Sequence, residues 1–337
     1  MKIQTLFLAF IVLLLASIVA SGQSGSQPST GNAQTPAPGD DPTVPKPRIS
    51  ADVMSRDPHP SIAGISAAVP EGGEVTGTAY NNKYFGLTFA LPAEWAEGYK
   101  GPKPSDGGYY VLASLKPKGE LNGTVLIAAQ DIFFYSRPVN NSAEMLKDVK
   151  QNLNEAQKAE SGPVELEISN HTFGRFDFSG AGLTFTQFAT DIRCHVVSFV
   201  VTTRDQKVLN KLVQAIAGMK ISEAQAAAGS PLPVCVKDYA TGDNVIHKVD
   251  PEMIGPKYTQ VPTRFIIGTD GKVKHIHVIN AFPDQAKSVE KALMQWEFKP
   301  YKVNGSPVEV ETGIMFEFKP TGPQKPVVQP AQQTSAK

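Results

Sequence analysis

The chain has 337 residues with 27 prolines and two cysteines, and its 32 basic residues balance 32 acidic ones. This length predicts two ordinary domains together with proline-rich connecting segments. Because the chain has no excess of positive charge to neutralise phosphates, nucleic acid is not an expected partner. Two cysteines are too few for a disulfide framework or a four-thiolate zinc site, which excludes a small disulfide-rich scaffold and a structural zinc domain.

The first 22 residues have the pattern of an export signal. Lys2 precedes an apolar run over 6–15, and small residues follow at Ala20, Ser21 and Gly22. This order predicts a signal peptide over 1–22 and a periplasmic or secreted protein. The alternative is an uncleaved anchor in the inner membrane, facing the periplasm, because residues 3–20 are long enough to cross a bilayer. Either way, this segment is the only expected contact with a membrane.

Three segments have the composition of spacers. Residues 23–78 are rich in Pro, Ser and Gly, residues 223–235 are rich in Ala and end in a Pro-containing stretch, and residues 320–337 resemble the first segment. Such sequences carry too little apolar surface to offset chain entropy. They predict a disordered linker, a shorter linker and a disordered tail, which leave two folded bodies at 79–222 and 236–319.

The first folded body is predicted to be an α+β domain with an antiparallel sheet. Neighbouring apolar segments favour strands, and only two segments have helical periodicity. The segment 193–202 is apolar on both of its alternating faces, which predicts a central strand covered on both sides. The predicted strands are 84–91, 108–115, 124–132, 164–169, 173–180, 183–190 and 193–202, and the predicted helices are 142–158, capped by Ser142, and one that follows a capping box at 203–206.

This body resembles the PsbP-like family. The resemblance rests on the opening Phe-Gly-Leu-Thr-Phe-Ala-Leu-Pro-Ala-Glu-Trp of residues 85–95 and on the closing strand and helix of residues 194–219. It implies an extracytoplasmic α+β domain that serves binding or assembly. The resemblance supplies no catalytic residues.

The second body is predicted to be a small ββαβ domain. Residues 263–268 and 273–279 favour two strands joined by an Asp270-Gly271 hairpin turn. A helix capped by Asp284 follows, and residues 308–318 alternate as a last strand. At this size the domain needs each of its apolar positions to build a core.

The second body resembles the TonB C-terminal domain family over about 245–319. Three motifs carry the resemblance: Asp-Gly-Lys-Val at 270–273, Trp-Glu-Phe-Lys-Pro at 296–300, and Asn-Gly-Ser-Pro-Val at 304–308 with a closing Phe-Glu-Phe at 316–318. The resemblance implies an outer-membrane receptor or another envelope protein as partner, bound by strand addition to an exposed sheet edge. The implied partner-binding edge strand comprises Val308, Val310, Thr312, Ile314, Phe316 and Phe318.

The sequence departs from the family before the first strand. Residues 251–258 and Val261-Pro262 replace the Tyr-Pro segment, short helix and Gly-x-Val of the family. A TonB-type transducer also needs an anchor, usually with a membrane histidine, and a long rod, whereas no histidine precedes His59. The leading hypothesis is therefore a non-enzymatic exported protein that binds an envelope partner. The alternative is a membrane-anchored TonB-type energy transducer that supports receptor-dependent transport.

Two regions that contain histidine are candidates for a chemical site, and no cofactor is expected. His275 and His277 alternate on one strand and face the same side, so they could bind a metal if a carboxylate joined them. A solvent-facing pair fits the pattern better, because no third ligand is evident. Cys194 beside His195 suggests a thiol nucleophile, but a buried strand is a poor place for a thiolate, and a structural role is favoured.

Cys194 and Cys235 are the one available disulfide pair, and an exported protein meets oxidising conditions. The bond would constrain the unfolded chain by roughly 4 kcal/mol on the loop-entropy account. It would also tie the segment that leads into the second body to the central strand of the first. Burial of Cys194 argues against the bond, so the sequence leaves the question open.

Overall fold

The computed structural model describes residues 69–319 except 72, 93–94, 100–106, 118–122, 136, 138, 223–231 and 254–258. The predicted signal peptide or anchor, residues 23–68 of the first linker, residues 223–231 of the second linker and the tail from 320 lie outside the described residues. Within the described part of the chain, no helix combines the length and apolar character needed to cross a membrane.

The described residues form a first body (69–222) and a second body (232–319). The strands of the first body are β1 (Glu74–Thr76), β2 (Ala79–Asn82), β3 (Leu87–Ala90), β4 (Trp95–Tyr99), β5 (Tyr109–Pro117), β6 (Thr124–Asp131), β7 (Gln157–Ala159), β8 (Val164–Ile168), β9 (His171–Gly180), β10 (Leu183–Ile192), β11 (His195–Thr203) and β12 (Lys220–Ile221). Its helices are α1 (Ser142–Gln151) and α2 (Gln206–Ala217).

The second body contains one α-helix, one short 3-10 helix (Gly242–Asn244) and eight strands within its described residues. They are β13 (Val234–Cys235), β14 (Val245–His247), β15 (Thr259–Ile267), β16 (Val273–Val278), α3 (Pro283–Leu293), β17 (Glu297–Phe298), β18 (Lys302–Val303), β19 (Ser306–Pro307) and β20 (Val310–Phe318). The predicted ββαβ order corresponds to β15, β16, α3 and β20. Strand β13 lies in the segment for which the composition predicts a linker.

A large antiparallel sheet dominates the first body, with strand order β4-β5-β6-β11-β10-β9-β7 and β8 beside β9. Strand β11 is central, and every residue in it except Val200 is buried. Helix α2 packs on β11, and α1 packs against β9 and β10. The α+β class, the antiparallel sheet and the central covered strand agree with the sequence prediction.

The opening strand of the first body differs from the prediction. Residues 84–91 do not form one strand, because 83–86 make a turn between β2 and β3. Gly86 has a φ of +62°, a conformation that favours glycine, and a Cβ there would meet the carbonyl oxygen of Ser222. The small sheet β1-β2-β3-β12 forms around this turn. Strand β1 therefore lies within the segment 23–78 for which a linker is predicted.

The helix caps in the structure lie at other residues than the sequence predicts. Helix α1 begins after Asn141, whose side chain accepts from the Glu144 N–H, and it ends at Gln151 well before residue 158. Helix α2 is capped by Asp205. Helix α3 starts with Pro283 at its first turn, so Asp284 lies inside the helix. In each case a neighbouring residue supplies the extended backbone that a cap requires.

The sheet of the second body has strand order β13-β20-β15-β16, with β13 parallel to β20 and the other pairs antiparallel. The apolar face of the sheet includes Phe265, Ile276 and Phe316. It packs on Leu293 of α3 and on Trp296, which follows the helix. The cross-strand register places polar residues on the opposite face, since Arg264 pairs with both His277 and Gly313. That face lies against the first body.

Candidate functional site

Strand β20 has one edge paired along its full length and one edge paired in part. Strand β15 pairs with it from Thr259–Phe318 to Ile267–Val310. On the other edge, the Glu309 carbonyl accepts from the Val234 N–H at 2.8 Å. The Glu311 carbonyl accepts from the Val236 N–H at 3.0 Å. Strand β13 therefore covers only the beginning of this outer edge.

The rest of the outer edge has no strand beside it among the described residues. Main-chain groups of alternate residues in a strand point to opposite edges. Since the Glu311 carbonyl points outward to β13, the main-chain groups of Gly313, Met315 and Glu317 point outward as well. We call these three residues the open edge. They offer donors and acceptors in the spacing that an added strand requires.

Partner binding by the predicted edge-strand residues stays a prediction, but the structure shows where these residues lie. Val308 lies outside β20, and its N–H donates to the Tyr301 carbonyl. The remaining residues direct their main-chain groups towards β15 and their side chains towards the core beneath α3, where four of the five are buried. These residues are Val310, Thr312, Ile314, Phe316 and Phe318. They build the strand, whereas the main-chain groups available to a partner belong to the open edge.

A buried ionic cluster joins the two bodies on the other face of this sheet. The Arg264 guanidinium of β15 lies 3.0 Å through Nε from Asp131 Oδ2 of β6. Its Nη1 donates to His195 Nε2 at 2.6 Å, and its Nη2 donates to Glu311 Oε1 at 2.5 Å. Asp131 and His195 have no exposed side-chain surface. The Arg264 guanidinium thus connects β15 to two strands of the first body, β6 and β11, and to β20 of its own body.

The contacts fix the protonation state of His195. Its Nδ1 lies 2.7 Å from the Arg193 carbonyl oxygen, so Nδ1 carries the proton and Nε2 accepts from Arg264. Burial lowers the pKa of His195 well below its ordinary value of 6.5, and the Arg264 charge lowers it further. Burial raises the pKa of Asp131 to about 6, against the opposing effect of Arg264. His195 is therefore a neutral acceptor in the folded protein at neutral pH.

Aromatic rings surround the cluster. The rings of Tyr84, Phe85 and Tyr110 meet the His195 ring edge to face, with centroids 5.2–5.6 Å apart. The Phe133 ring lies 5.5 Å from the Arg264 guanidinium carbon. These contacts keep the charges away from solvent and strengthen their interaction.

Gly313 marks a close approach between β20 and the first body. A Cβ at this position would lie 2.7 Å from the Phe133 Cβ and 2.8 Å from the Phe134 ring. The glycine is required by this close approach, because its backbone conformation is ordinary for a strand. The open edge therefore starts where the first body touches β20.

The structure joins Cys194 and Cys235 in a disulfide, with a Cα–Cα separation of 5.5 Å. Cys194 does not lie on the central strand as the sequence suggests. It lies in the β10–β11 hairpin turn, where Arg193 and Cys194 have φ values of +49° and +61°. Cys194 is buried and Cys235 is exposed. Because both cysteines are bonded, Cys194 does not provide the free thiol that a nucleophile requires.

His275 and His277 are both half-buried, so the solvent-facing prediction is wrong for the pair. His277 Nε2 lies 3.4 Å from Glu71 Oε1, which precedes β1. Among the described residues, no group of three or more His, Cys, Asp or Glu side chains is arranged to hold a metal ion. The pair belongs to the face that meets the first body.

The sequence reasoning missed the ionic cluster. Its members Asp131, His195, Arg264 and Glu311 lie on four strands and are distant in sequence. One local signal was available, since Arg264 is the one charged residue of β15 and directly precedes the apolar run over 265–267. A charged residue at such a position needs a buried partner.

Residues 258–320 match the family model of the Gram-negative bacterial TonB protein C-terminal. This match confirms the resemblance drawn from the motifs at 270–273, 296–300 and 304–308. We call the second body the TonB-like domain from here on. A search of curated proteins finds no match.

Solved structures similar to the chain include the following two. Cyanobacterial PsbP (CyanoP) from Synechocystis sp. PCC 6803 has 14% identity and a TM-score of 0.33, over 44% of this chain and 96% of that one. LpqN from Mycobacterium tuberculosis, described as involved in cell envelope biogenesis, has 12% identity and a TM-score of 0.27, over 40% of this chain and 83% of that one. The first of these proteins is a PsbP, and the sequence of residues 79–222 resembles the PsbP-like family.

Proposed function

We propose that the protein is a non-enzymatic component of the cell envelope that binds an extended segment of an envelope partner at the open edge of β20. The observation that carries the proposal is the open edge itself, which lies in a domain that matches the TonB C-terminal family. Beyond the end of β13, Gly313, Met315 and Glu317 direct main-chain donors and acceptors outward. A partner strand would add to the sheet and satisfy them.

The size of the open edge limits the partner segment. Residues 313–318 span about 20 Å at the usual rise of a strand, which accommodates a segment of about six residues. Three residues on β20 would each exchange main-chain bonds with it, while side chains give specificity. On the face of the sheet that meets the first body, the partner segment would lie beside the side chains of Met315 and the exposed Glu317. A basic residue opposite Glu317 would complement its charge.

Export to the periplasm or beyond, through the signal peptide predicted over 1–22, fits this role. The match to the TonB C-terminal family also favours an envelope location. The same match supports a second candidate, the anchored energy transducer, if residues 1–22 remain in the membrane. Determining the N-terminal residue of the protein in soluble and membrane fractions separates the two. A mature chain that begins near Gln23 in the soluble fraction contradicts the transducer.

The strand-addition proposal is tested by photo-crosslinking in cells with the full chain. A photoreactive residue at Met315 is expected to crosslink to one envelope protein. The same residue at the exposed Val303 of the same domain serves as the control. Equal crosslinking to the same protein from both positions would contradict a site at the open edge.

A pair of substitutions tests whether the contact uses the main chain. Glu317→Pro removes an outward N–H but leaves pairing with β15 intact, whereas Glu317→Ala removes only the side chain. Crosslinking from Met315 is expected to fall about fivefold or more in E317P relative to E317A, because one main-chain hydrogen bond and the fit of the added strand are lost. Equal yields from the two variants would mean that the partner does not pair with β20.

A further inference from the structure

Strand β13 occupies the part of the outer edge that lies before the open edge. Its cover is a short parallel ladder, in which the Val234 and Val236 N–H groups donate to the Glu309 and Glu311 carbonyls. Val234 and Cys235 are both exposed, so β13 buries little side-chain surface on β20. A ladder of two residue pairs with little burial is a weak basis for a stable strand. The disulfide from Cys235 to Cys194 and the next residue, the half-buried Val236 that packs against the core of the second body, complete the attachment.

We propose that the Cys194–Cys235 disulfide acts as a redox-sensitive clamp that holds β13 on β20, and that its reduction by a dithiol lengthens the open edge. Release of β13 would free the outward groups of Glu309 and Glu311 and extend the open edge towards the start of β20. The inference rests on the proposed function for its consequence, since a longer edge matters only if a strand is added there.

The two sulfur atoms have different access. Cys235 is exposed on β13, whereas Cys194 is 6% exposed in the β10–β11 turn. A thiolate of the reductant would therefore attack Cys235 Sγ and form a bond to it, while the bond to Cys194 breaks and Cys194 leaves and takes up a proton. The second thiol of the reductant then displaces Cys235. The dithiol ends as a disulfide, and the protein holds two thiols.

Glu311 connects the clamp to the cluster between the bodies. Its Oε2 lies 3.3 Å from Cys194 Sγ, and its Oε1 accepts from Arg264. A disulfide sulfur has no proton to donate, but a Cys194 thiol at the same distance would donate to this carboxylate. The reduced protein thus gains a hydrogen bond at the buried end of the clamp. Arg264 stays paired, so the two bodies remain docked while β13 is released.

Amide hydrogen exchange on the full chain tests the clamp without any partner. Protein treated with reduced dithiothreitol is compared with the oxidised protein in the same buffer. Protection of the Val234 and Val236 amides is expected to fall about tenfold or more on reduction, because the two hydrogen bonds lose their covalent support. The amides of Phe265 and Phe316, within the β15–β20 pair, are expected to change little. Unchanged protection at Val236 in fully reduced protein would overturn the proposal.

A variant provides the same comparison without reductant. Cys235→Ser breaks the bond at the exposed residue, and Val234→Ala is the matched control that keeps both the bond and the main-chain donor. Exchange at Val236 in C235S is expected to equal that of the reduced protein, while V234A resembles the oxidised one. Oxidised-like exchange in C235S would show that β13 needs no clamp.

The consequence for binding has its own readout. A photoreactive residue at Glu309 is expected to crosslink to the envelope partner at least fivefold more in C235S than in the oxidised protein, while crosslinking from Met315 persists in both. Crosslinking from Met315 without any increase at Glu309 would overturn the clamp's role in binding and leave strand addition supported. Loss of crosslinking at both positions in both proteins would contradict strand addition, while hydrogen exchange still decides the clamp.

Discussion

The two bodies cover their sheets in different ways. The first body surrounds its central strand β11 with its own sheet and helices, and its core includes more than twenty buried apolar side chains. The TonB-like domain has helix α3 on one face of its sheet only. Its other face carries Arg264, His277 and Glu311, and it is covered by the first body. A domain this small buries too little surface alone, and here a neighbour with complementary charges completes it.

The largest effect is expected from removing the central charge of the cluster. Arg264→Ala leaves Asp131 and Glu311 without their counter-ion, which should lower the free energy of unfolding by about 3–5 kcal/mol. Urea denaturation followed by tryptophan fluorescence measures this change. In a Trp95→Phe background the signal reports Trp296 of the TonB-like domain, so the transition of that domain can be followed separately.

Two further variants sharpen the comparison. Arg264→Lys keeps the charge but lacks the planar fork, so an intermediate loss is expected. Lys158→Ala removes the exposed pair with Glu160 in the first body and should change stability by less than about 0.5 kcal/mol. A similar small loss in R264A and K158A would mean that the cluster does not hold the bodies together.

A smaller effect is expected where β20 touches the first body. Gly313→Ala places a Cβ 2.7 Å from the Phe133 Cβ, so one of the two bodies must shift. We expect a loss of about 1–3 kcal/mol in the free energy of unfolding. Gly218→Ala at the end of α2 is the control, because its Cβ would meet nothing closer than 3.6 Å. If the two alanine variants are equally stable, Gly313 does not mark a tight contact between the bodies.

The smallest effect depends on pH. The folded pKa of His195 lies well below 6.5, so the unfolded chain alone takes up this proton as the pH falls, and folding is destabilised. Asp131 acts in the opposite direction below about pH 6, because its pKa is raised in the folded state. His195→Gln keeps an acceptor for Arg264 and removes only the histidine contribution.

Between pH 7 and 5.5, the wild-type protein is expected to lose about 1 kcal/mol more of its unfolding free energy than H195Q. Each protein is compared with its own value at pH 7, and urea denaturation at several pH values gives the measurement. Parallel pH profiles for the two proteins would show that His195 takes up a proton in the folded state.

The sequence predicted those parts of the fold that depend on local pattern. The alternation in 193–202 identified a buried central strand, and the Asp270-Gly271 turn and the segment that follows it identified β16. Cap positions were displaced because several residues near each helix start can cap, and packing selects among them. The two-residue β13 has no periodicity to detect.

The candidate site was harder to predict because it depends on register and on contacts between the bodies. The residues of 308–318 were expected to meet a partner through their alternating apolar set, but that set builds the core. Which residues face outward follows from the pairing of β20 with β15, and no local pattern encodes it. Similarly, Asp131 and Arg264 are each ordinary in their own segments, and only the docking of the bodies brings them together.

The disulfide has a mechanical consequence. If a partner pulls on β20, tension passes through β13 and the Cys235–Cys194 bond into the turn before β11, the central strand of the first body. This covalent path does not run through the chain that connects the two cysteines in sequence. A force applied at the sheet edge of one domain is thus borne by the strand that is most deeply buried in the other.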